Sequence, residues 1–251
     1  MQGEDRAVIG LRAAWAAGWR AFVQRPLFWI AVEVVVAALA IGGGFVITAV
    51  LAALLALAGV SDPPPFVIFV YVLSGIGMWS LLIAQLAMGK VWVSLQGVDG
   101  ARPSLWALFA KPNLMWRFCA GYALFITLVG LGLLLLVVPG VRAMLRWCCW
   151  PCVMVDRDLG VFASFAESAR LTRGRLLKLL AFWVAAFALI ALVTLLMRAL
   201  AGVLLPSAEA VTGILGIPLA WLYNPLIWLS FTWIYRRLSP ARPAHEAAVA
   251  D

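Results

Sequence analysis

Long apolar stretches alternate with short polar or proline-rich breaks along the chain. A helix that crosses the hydrocarbon core of a bilayer needs about 20 mainly apolar residues. Five stretches meet this requirement, namely 27–60, 66–95, 118–138, 179–205 and 211–235. A sixth stretch, 141–155, has only 15 residues and contains Arg142 and Arg146. It is also predicted to span, because the chain must return to the side where the next basic segment lies.

The breaks between these stretches predict three helical hairpins. Residues 61–65 end in three prolines, which lack N–H donors and cannot continue a helix. Pro139-Gly140 is expected to reverse the chain, and Pro206-Ser207 separates the last two spans. The sequence therefore predicts an all-α integral membrane protein with six transmembrane helices in three antiparallel hairpins. One membrane domain, 1–237, would contain hairpin units at about 1–97, 98–157 and 158–237, followed by a polar, disordered tail at 238–251.

Composition supports a membrane protein over a soluble one. Hydrophobic residues make up 65% of the 251 residues and charged residues 12%, against about 45–50% and 25% in typical soluble proteins. A soluble globule of this size cannot hide so much apolar surface. Disordered, collagen-like and disulfide-rich secreted chains each need a different composition.

Basic residues predict the orientation of the spans. With both termini cytoplasmic, 16 of the 19 Lys and Arg residues fall in cytoplasmic segments, and only Arg142, Arg146 and Arg198 fall in the outer half. The net charge of +8 is thus spread along membrane edges, so no nucleic-acid partner is predicted. Glu4 and Asp5 argue against a cleavable signal peptide. We expect a bacterial inner-membrane protein whose first span stays as an uncleaved anchor.

A short amphipathic, basic segment precedes each predicted hairpin. The apolar positions of the three segments are Leu11, Trp15, Trp19 and Phe22; 105–109; and Val161, Phe162, Phe165 and Ala169. Aromatic and basic side chains favour the headgroup level, so these segments are predicted to be helices lying flat on the inner leaflet. The interfacial anchors would be Trp15, Trp19, Arg20, Trp106, Arg170 and Arg173. The alternative is that any cytoplasmic loop between spans collects Arg and Trp.

Glu33 is the one acidic residue well inside a predicted span. Antiparallel pairing of the first two spans places it at a depth similar to that of Lys90, so an intramembrane ion pair is predicted. A structural pair is favoured over a proton or substrate site, because an unpartnered charge in the membrane is costly. Gln85 and Asn224 are polar enough to hydrogen-bond between helices.

Arg142 and Arg146 stand four residues apart, on one face of a helix. They could reach the phosphates of outer-leaflet lipids, or they could line a polar pocket that binds an anionic group. Arg198 could join them. The three residues are therefore candidates for binding a lipid or an anion.

Catalytic, redox and metal chemistry find little support. Cys149-Trp150-Pro151-Cys152 matches a C-x-x-C pair, but it lies in an apolar run where a reactive thiolate is not stabilised. Cys148 adds a third thiol without a fourth ligand nearby, which makes a poor zinc site. The single histidine, His245, lies in the polar tail. No catalytic residue, metal or cofactor is predicted.

One segment resembles a known family. The pattern begins at Val138-Pro139-Gly140-Val141-Arg142, continues with Arg146-Trp147 and Val155-Asp156, and ends in Ala166-Glu167-Ser168-Ala169-Arg170-Leu171-Thr172-Arg173-Gly174-Arg175. It resembles the polytopic bacterial proteins that include YciC and the membrane domain named after glycerophosphodiester phosphodiesterases. Ser168, Leu171, Thr172 and Gly174 match the last element, whereas Cys148, Cys149 and Cys152 depart from the family. The resemblance implies a membrane domain without the phosphodiesterase chemistry, which belongs to a separate soluble domain.

Two functional hypotheses follow from the sequence. The first is a non-enzymatic inner-membrane protein that packs against lipids or acts as an accessory subunit of a larger membrane complex. The second is a transporter or flippase-like protein for a lipid or a small anionic solute, with Arg142, Arg146 and Glu33 along the pathway. Membrane lipids are the expected partners in both, with partner subunits in the first.

Overall fold

The computed structural model describes residues 10–57, 59, 64–204 and 209–239, without the side chains of 197, 198 and 200–219. Every secondary-structure element in this part of the chain is a helix. The α-helices are α1 (Leu11–Gln24), α2 (Pro26–Leu57), α3 (Pro65–Val98), α4 (Met115–Leu135), α5 (Val137–Trp147), α6 (Trp150–Arg157), α7 (Val161–Leu171), α8 (Leu176–Leu204) and α9 (Glu209–Leu238). Two 3-10 helices, Leu105–Phe109 and Pro112–Leu114, lead into α4. His245 and most of the predicted tail lie outside the described residues.

Four helical segments are long and apolar enough to cross a membrane, judged over the described residues by length and composition. They are Pro26–Leu57, Pro65–Val98, Leu105–Leu135 and Leu176–Leu196. Helix α9 has 30 residues. The structure does not describe the side chains of its first eleven residues, so α9 is not among these four segments. The structure thus agrees with a helical protein built for a membrane.

The ends of the helices follow the sequence signals only in part. Helix α3 begins at Pro65, after an extended Pro64, as the proline run predicts. The reversal predicted at Pro139-Gly140 is wrong, because the chain turns at Leu136, whose φ of −161° and ψ of 140° are extended. Pro139 instead lies in the first turn of α5, where its missing N–H group costs no intrahelical hydrogen bond.

The long helices each have a packed end and an exposed apolar end. In α2, Trp29 and Val32 are buried, whereas Phe45 is 74% exposed and Leu57 is 84% exposed. Helix α3 runs the other way, from exposed Phe66 to buried Leu95. The same division holds in α4 and α8, where Phe118 and Phe182 are buried and Leu134 and Leu195 are exposed. Side chains this apolar are stable only against lipid or another apolar surface.

Helix α1 packs against α9 through small residues. Ala14, Gly18 and Phe22 are its buried positions, and an added Cβ on Gly18 would lie 2.8 Å from the backbone nitrogen of Ser230. Trp19, predicted to belong to the apolar stripe, is 55% exposed on another face. The first described helix, α1, therefore packs directly against the last described helix, α9.

We predict that Gly18→Ala lowers the free energy of unfolding by about 1–3 kcal/mol, because the new methyl group forces α1 away from α9. Urea or SDS titration of the purified protein in detergent measures this change. Gly42→Ala is the matched control, since an added Cβ there meets no described atom within 4 Å beyond the adjoining residues and backbone of its own helix. Equal stability of the two variants would contradict the close contact between α1 and α9.

Candidate functional site: an arginine pocket beside a helix break

The segment 141–155 is not one continuous helix. Helix α5 ends at Trp147 and α6 begins at Trp150, with Cys148 and Cys149 between them. Pro151 lies in the first turn of α6, so it begins a helix rather than kinking one. At about 1.5 Å per residue, neither 11 nor eight residues cross a bilayer alone. The prediction of a single span over 141–155 is therefore corrected to two short helices.

The two short helices together follow α4 back along its length. Gly140 lies against Gly132, and Trp150 lies against Gly121. Arg117 then reaches Asp158, the residue after α6, at 3.5 Å. These contacts pair late residues of α4 with early residues of the returning segment, and early residues of α4 with late ones. The break lies partway along that return.

Side chains from α7 hold the break together. The backbone N–H of Cys149 donates to Ser168 Oγ at 3.2 Å, and the Ser168 hydroxyl donates to the Arg146 carbonyl at 3.2 Å. The Thr172 hydroxyl lies 2.9 Å from the same carbonyl oxygen. An interrupted helix leaves peptide groups without intrahelical partners, and a buried unpaired group is costly. Ser168 and Thr172 provide those partners.

Helix α7 presents a different face to the core from the one predicted. Its buried residues are Ser164, Phe165, Ser168 and Leu171, and Phe162, predicted to line the apolar face, is 79% exposed. Phe165 stacks on Trp150 with a centroid distance of 5.4 Å and an interplanar angle of 9°. The two serines are buried because they satisfy backbone groups, which a hydrophobic pattern cannot indicate.

Four arginines line one cavity between α5 and the junction of α7 with α8. The cavity has a volume of about 570 Å³, and its lining consists of Arg142, Arg146, Ala166, Ala169, Arg170, Thr172, Arg173, Gly174 and Leu176. Gly174 has a φ of +75°, which lets the chain turn from α7 into α8. No acidic residue belongs to this lining within the described part of the chain.

This arrangement changes the interpretation of Arg142 and Arg146. The sequence placed them in the outer half of the protein and placed Arg170 and Arg173 at the opposite, cytoplasmic side. The structure brings all four to one cavity, so the division of these residues between two sides is wrong. Arg198, the third outer candidate, has a side chain outside the described residues.

The four guanidinium groups differ in their partners. Arg170 donates to both carboxylate oxygens of Glu167, at 2.8 and 2.7 Å, and Arg157 donates to the same carboxylate at 2.7 Å. The hydrogen bond from Arg170, reinforced by both positive charges, lowers the pKa of Glu167. Arg142, Arg146 and Arg173 have no ion pair or side-chain hydrogen bond with any residue that the structure describes. They are the groups left to bind an anion.

A second polar cluster lies at the packed ends of α2, α3 and α9. Lys90 Nζ lies 2.5 Å from Glu33 Oε1, with side-chain exposures of 11% and 6%. Asn224 Nδ2 donates to Glu33 Oε2 at 3.1 Å, and Lys90 Nζ lies 5.9 Å from the centre of the Trp228 ring. The structure thus brings together the two residues that the sequence paired. Gln85 donates to the carbonyl oxygen of Leu108 at 3.1 Å.

The predicted interfacial anchors occupy different environments. Trp106 is 80% exposed and Trp19 is 55% exposed, whereas Trp15 stacks on Phe182 with a centroid distance of 5.4 Å. Arg20 donates to the carbonyl oxygen of Ala16 at 3.3 Å. Arg170 and Arg173 line the cavity described above.

A charged cluster at the end of α9 was not predicted from the sequence. Arg236 donates to Asp99 at 2.9 and 2.5 Å and to Asp156 at 2.8 Å. The hydroxyl of Tyr235 donates to Asp156 at 2.8 Å. The available signal was an acid directly after α3, another in the last turn of α6 and an arginine in the last turn of α9. The cluster ties these helix ends together.

The cysteines are free thiols. Cys149 and Cys152 are buried, and the Cys148 and Cys149 sulfur atoms are 3.8 Å apart. No group of three or more His, Cys, Asp or Glu residues in the described part of the chain is arranged to hold a metal ion.

Comparisons with known proteins add no assignment. The chain matches no protein-family model, no curated protein and no solved structure.

We predict that Glu33→Gln or Lys90→Met alone lowers the free energy of unfolding by about 3–5 kcal/mol, because each leaves one buried charge without its partner. The double variant should recover a large part of that loss. A double-mutant cycle by SDS titration in mixed micelles measures the coupling. Additive effects of the two substitutions would contradict a stabilising ion pair.

We predict that Ser168→Ala destabilises the protein by about 1–3 kcal/mol, because it leaves the Cys149 N–H group unsatisfied. Hydrogen exchange should show faster exchange at Cys149 than in the unmodified protein. Ser74→Ala is the control, because Ser74 donates only to the carbonyl oxygen of Val70 within its own helix, on an exposed face. Unchanged exchange at Cys149 would contradict the role of Ser168.

Proposed function

We propose that this chain is a non-enzymatic, multi-pass membrane protein that binds anionic, phosphate-bearing lipid headgroups through Arg142, Arg146 and Arg173. The observation that carries the proposal is the cavity of about 570 Å³ that these residues line without a carboxylate partner among the described residues. Guanidinium groups bind phosphate through two parallel hydrogen bonds. Basic pockets between membrane helices are recurrent sites for anionic headgroups.

The position of the cavity supports a lipid as the ligand. It lies between α5 and α8, whose other ends expose apolar side chains such as Val138 and Leu195. Phe162 and Leu177, near the cavity in α7 and α8, are 79% and 81% exposed. Side chains of this kind belong in the acyl region, next to the headgroups that the arginines would bind.

The membrane and its orientation are part of the proposal. We place the protein in a bacterial inner membrane with both termini in the cytoplasm, because most Lys and Arg residues then lie on the inner side. In this orientation Arg142 and Arg146 join Arg170 and Arg173 at the inner leaflet, which strengthens the charge asymmetry. The returning pair α5 and α6 would complete six crossings with α2, α3, α4, α8 and α9.

The resemblance to the YciC-like family belongs to this proposal as well. Of the residues that match its last element, Ser168 and Thr172 hold the helix break, and Thr172 and Gly174 line the cavity. A common role for the family in holding a membrane lipid would explain why such a pattern is needed. The transport hypothesis uses Arg142 and Arg146 together with Glu33, and it differs in that a lipid or a small anionic solute moves along a pathway.

We predict that Arg142→Gln/Arg146→Gln weakens binding of anionic lipid by at least about tenfold, because charge-assisted hydrogen bonds to phosphate are lost. Native mass spectrometry of the full chain, titrated with phosphatidylglycerol or phosphatidylcholine, measures lipid occupancy. Arg12→Gln/Arg20→Gln removes the same charge from the exposed face of α1. Equal losses in both double variants would contradict a pocket and indicate nonspecific attraction to the membrane.

A further inference from the structure

We infer that the arginine pocket selects a phosphate group that carries two negative charges over one that carries a single charge. The inference rests on the proposed function and names the class of headgroup that the pocket prefers. A phosphomonoester, as in phosphatidic acid, supplies two charges near neutral pH, whereas a phosphodiester, as in phosphatidylglycerol, supplies one.

The first step concerns the internal counter-ion. Glu167 accepts hydrogen bonds from Arg170 and Arg157, so its single negative charge is already shared between two arginines. Within the described residues it forms no hydrogen bond or ion pair with Arg142, Arg146 or Arg173. These three guanidinium groups therefore present an uncompensated positive charge to whatever enters the cavity.

The second step concerns where that charge lies. Arg142 and Arg146 are one helical turn apart on α5, and like charges at this spacing repel each other. Arg173 faces them from the turn between α7 and α8, across the same cavity. A ligand with one negative charge leaves most of this repulsion in place. A ligand with two negative charges and three phosphate oxygens can accept hydrogen bonds from groups on both sides.

The third step concerns the source of the phosphate. Phe162, Ala166 and Ala169 recur at helical spacing along one side of α7, and Arg173 follows in the turn after the helix, so an apolar strip leads to the charged end. Leu176 continues the apolar wall at the start of α8. This combination suits an acylated phosphate better than a free one, and the experiment includes both.

The test compares short-chain phosphatidic acid with short-chain phosphatidylglycerol, each titrated into the full chain in nanodiscs of phosphatidylcholine. At pH 8 we expect phosphatidic acid to bind at least about tenfold more tightly, equivalent to one additional charge-assisted hydrogen bond. At pH 5 the preference should fall severalfold, because the second pKa of a phosphate monoester is about 6 and most of the free ligand then carries one charge. The groups that face the ligand are arginines, which stay charged at both pH values.

Two variants separate the pocket from general attraction. Arg173→Gln should lower the affinity for phosphatidic acid more than the affinity for phosphatidylglycerol. Arg12→Gln should change neither affinity. Inorganic phosphate is added as a competitor at the same concentration as the lipid. If inorganic phosphate competes weakly with phosphatidic acid, the ligand is a lipid. If inorganic phosphate displaces phosphatidic acid fully, the pocket still selects a dianion, but the ligand is a soluble phosphate.

The outcomes distinguish the inference from the proposed function. Equal affinity for the two lipids, with binding still dependent on Arg142 and Arg146, overturns the inference and leaves the proposed function in place. A preference that is as large at pH 5 as at pH 8 also overturns it, because the charge of the phosphate would not be its cause. If neither lipid binds, and thermal unfolding shows that the protein is folded, both the inference and the proposed function are overturned.

Discussion

The hydroxyl group of Ser168 lets a helix stop and restart in surroundings that offer no water. It accepts a hydrogen bond from Cys149 and donates one to the carbonyl of Arg146, so one side chain serves both ends of the break. An uninterrupted helix would need no such group, and these hydrogen bonds hold α7 at the break together with the stacking of Phe165 on Trp150. The cavity exists because α7 is held against this point, with Arg146 at the end of α5.

The division of each long helix into packed and exposed ends explains where the polar groups are found. Glu33, Lys90 and Asn224 all lie in the packed end, where protein atoms replace both water and lipid. Charge is stable there because several helices supply partners at once. The exposed ends carry apolar side chains instead, since lipid offers neither hydrogen bonds nor counter-ions.

The features that could be predicted depend on the number of residues in an apolar stretch or between two charges. Those that were missed depend on local backbone geometry. Apolar length predicted the long helices, and equal depth in antiparallel neighbours predicted the nearness of Glu33 and Lys90. The break between α5 and α6 could not be predicted, because its partners come from Ser168 and Thr172, about 20 residues further along the chain. The sequence also separated Arg142 and Arg146 from Arg170 and Arg173, with which they share one cavity, and the buried serines of α7 went unrecognised.

The contacts that Glu33 and Gly18 make with α9 can form only after α9 has been synthesised. Glu33 and Asn224 are 191 residues apart, and a ribosome adds about 5–20 residues each second. Roughly 10–40 s therefore separate the synthesis of the first of these residues from that of the second. Lys90 is translated well before Asn224 and can neutralise Glu33 in that interval, while the amide arrives only with the final helix. Glu33 therefore has its ion-pair partner before α9 is synthesised, and Asn224 adds its hydrogen bond only when α9 packs in place.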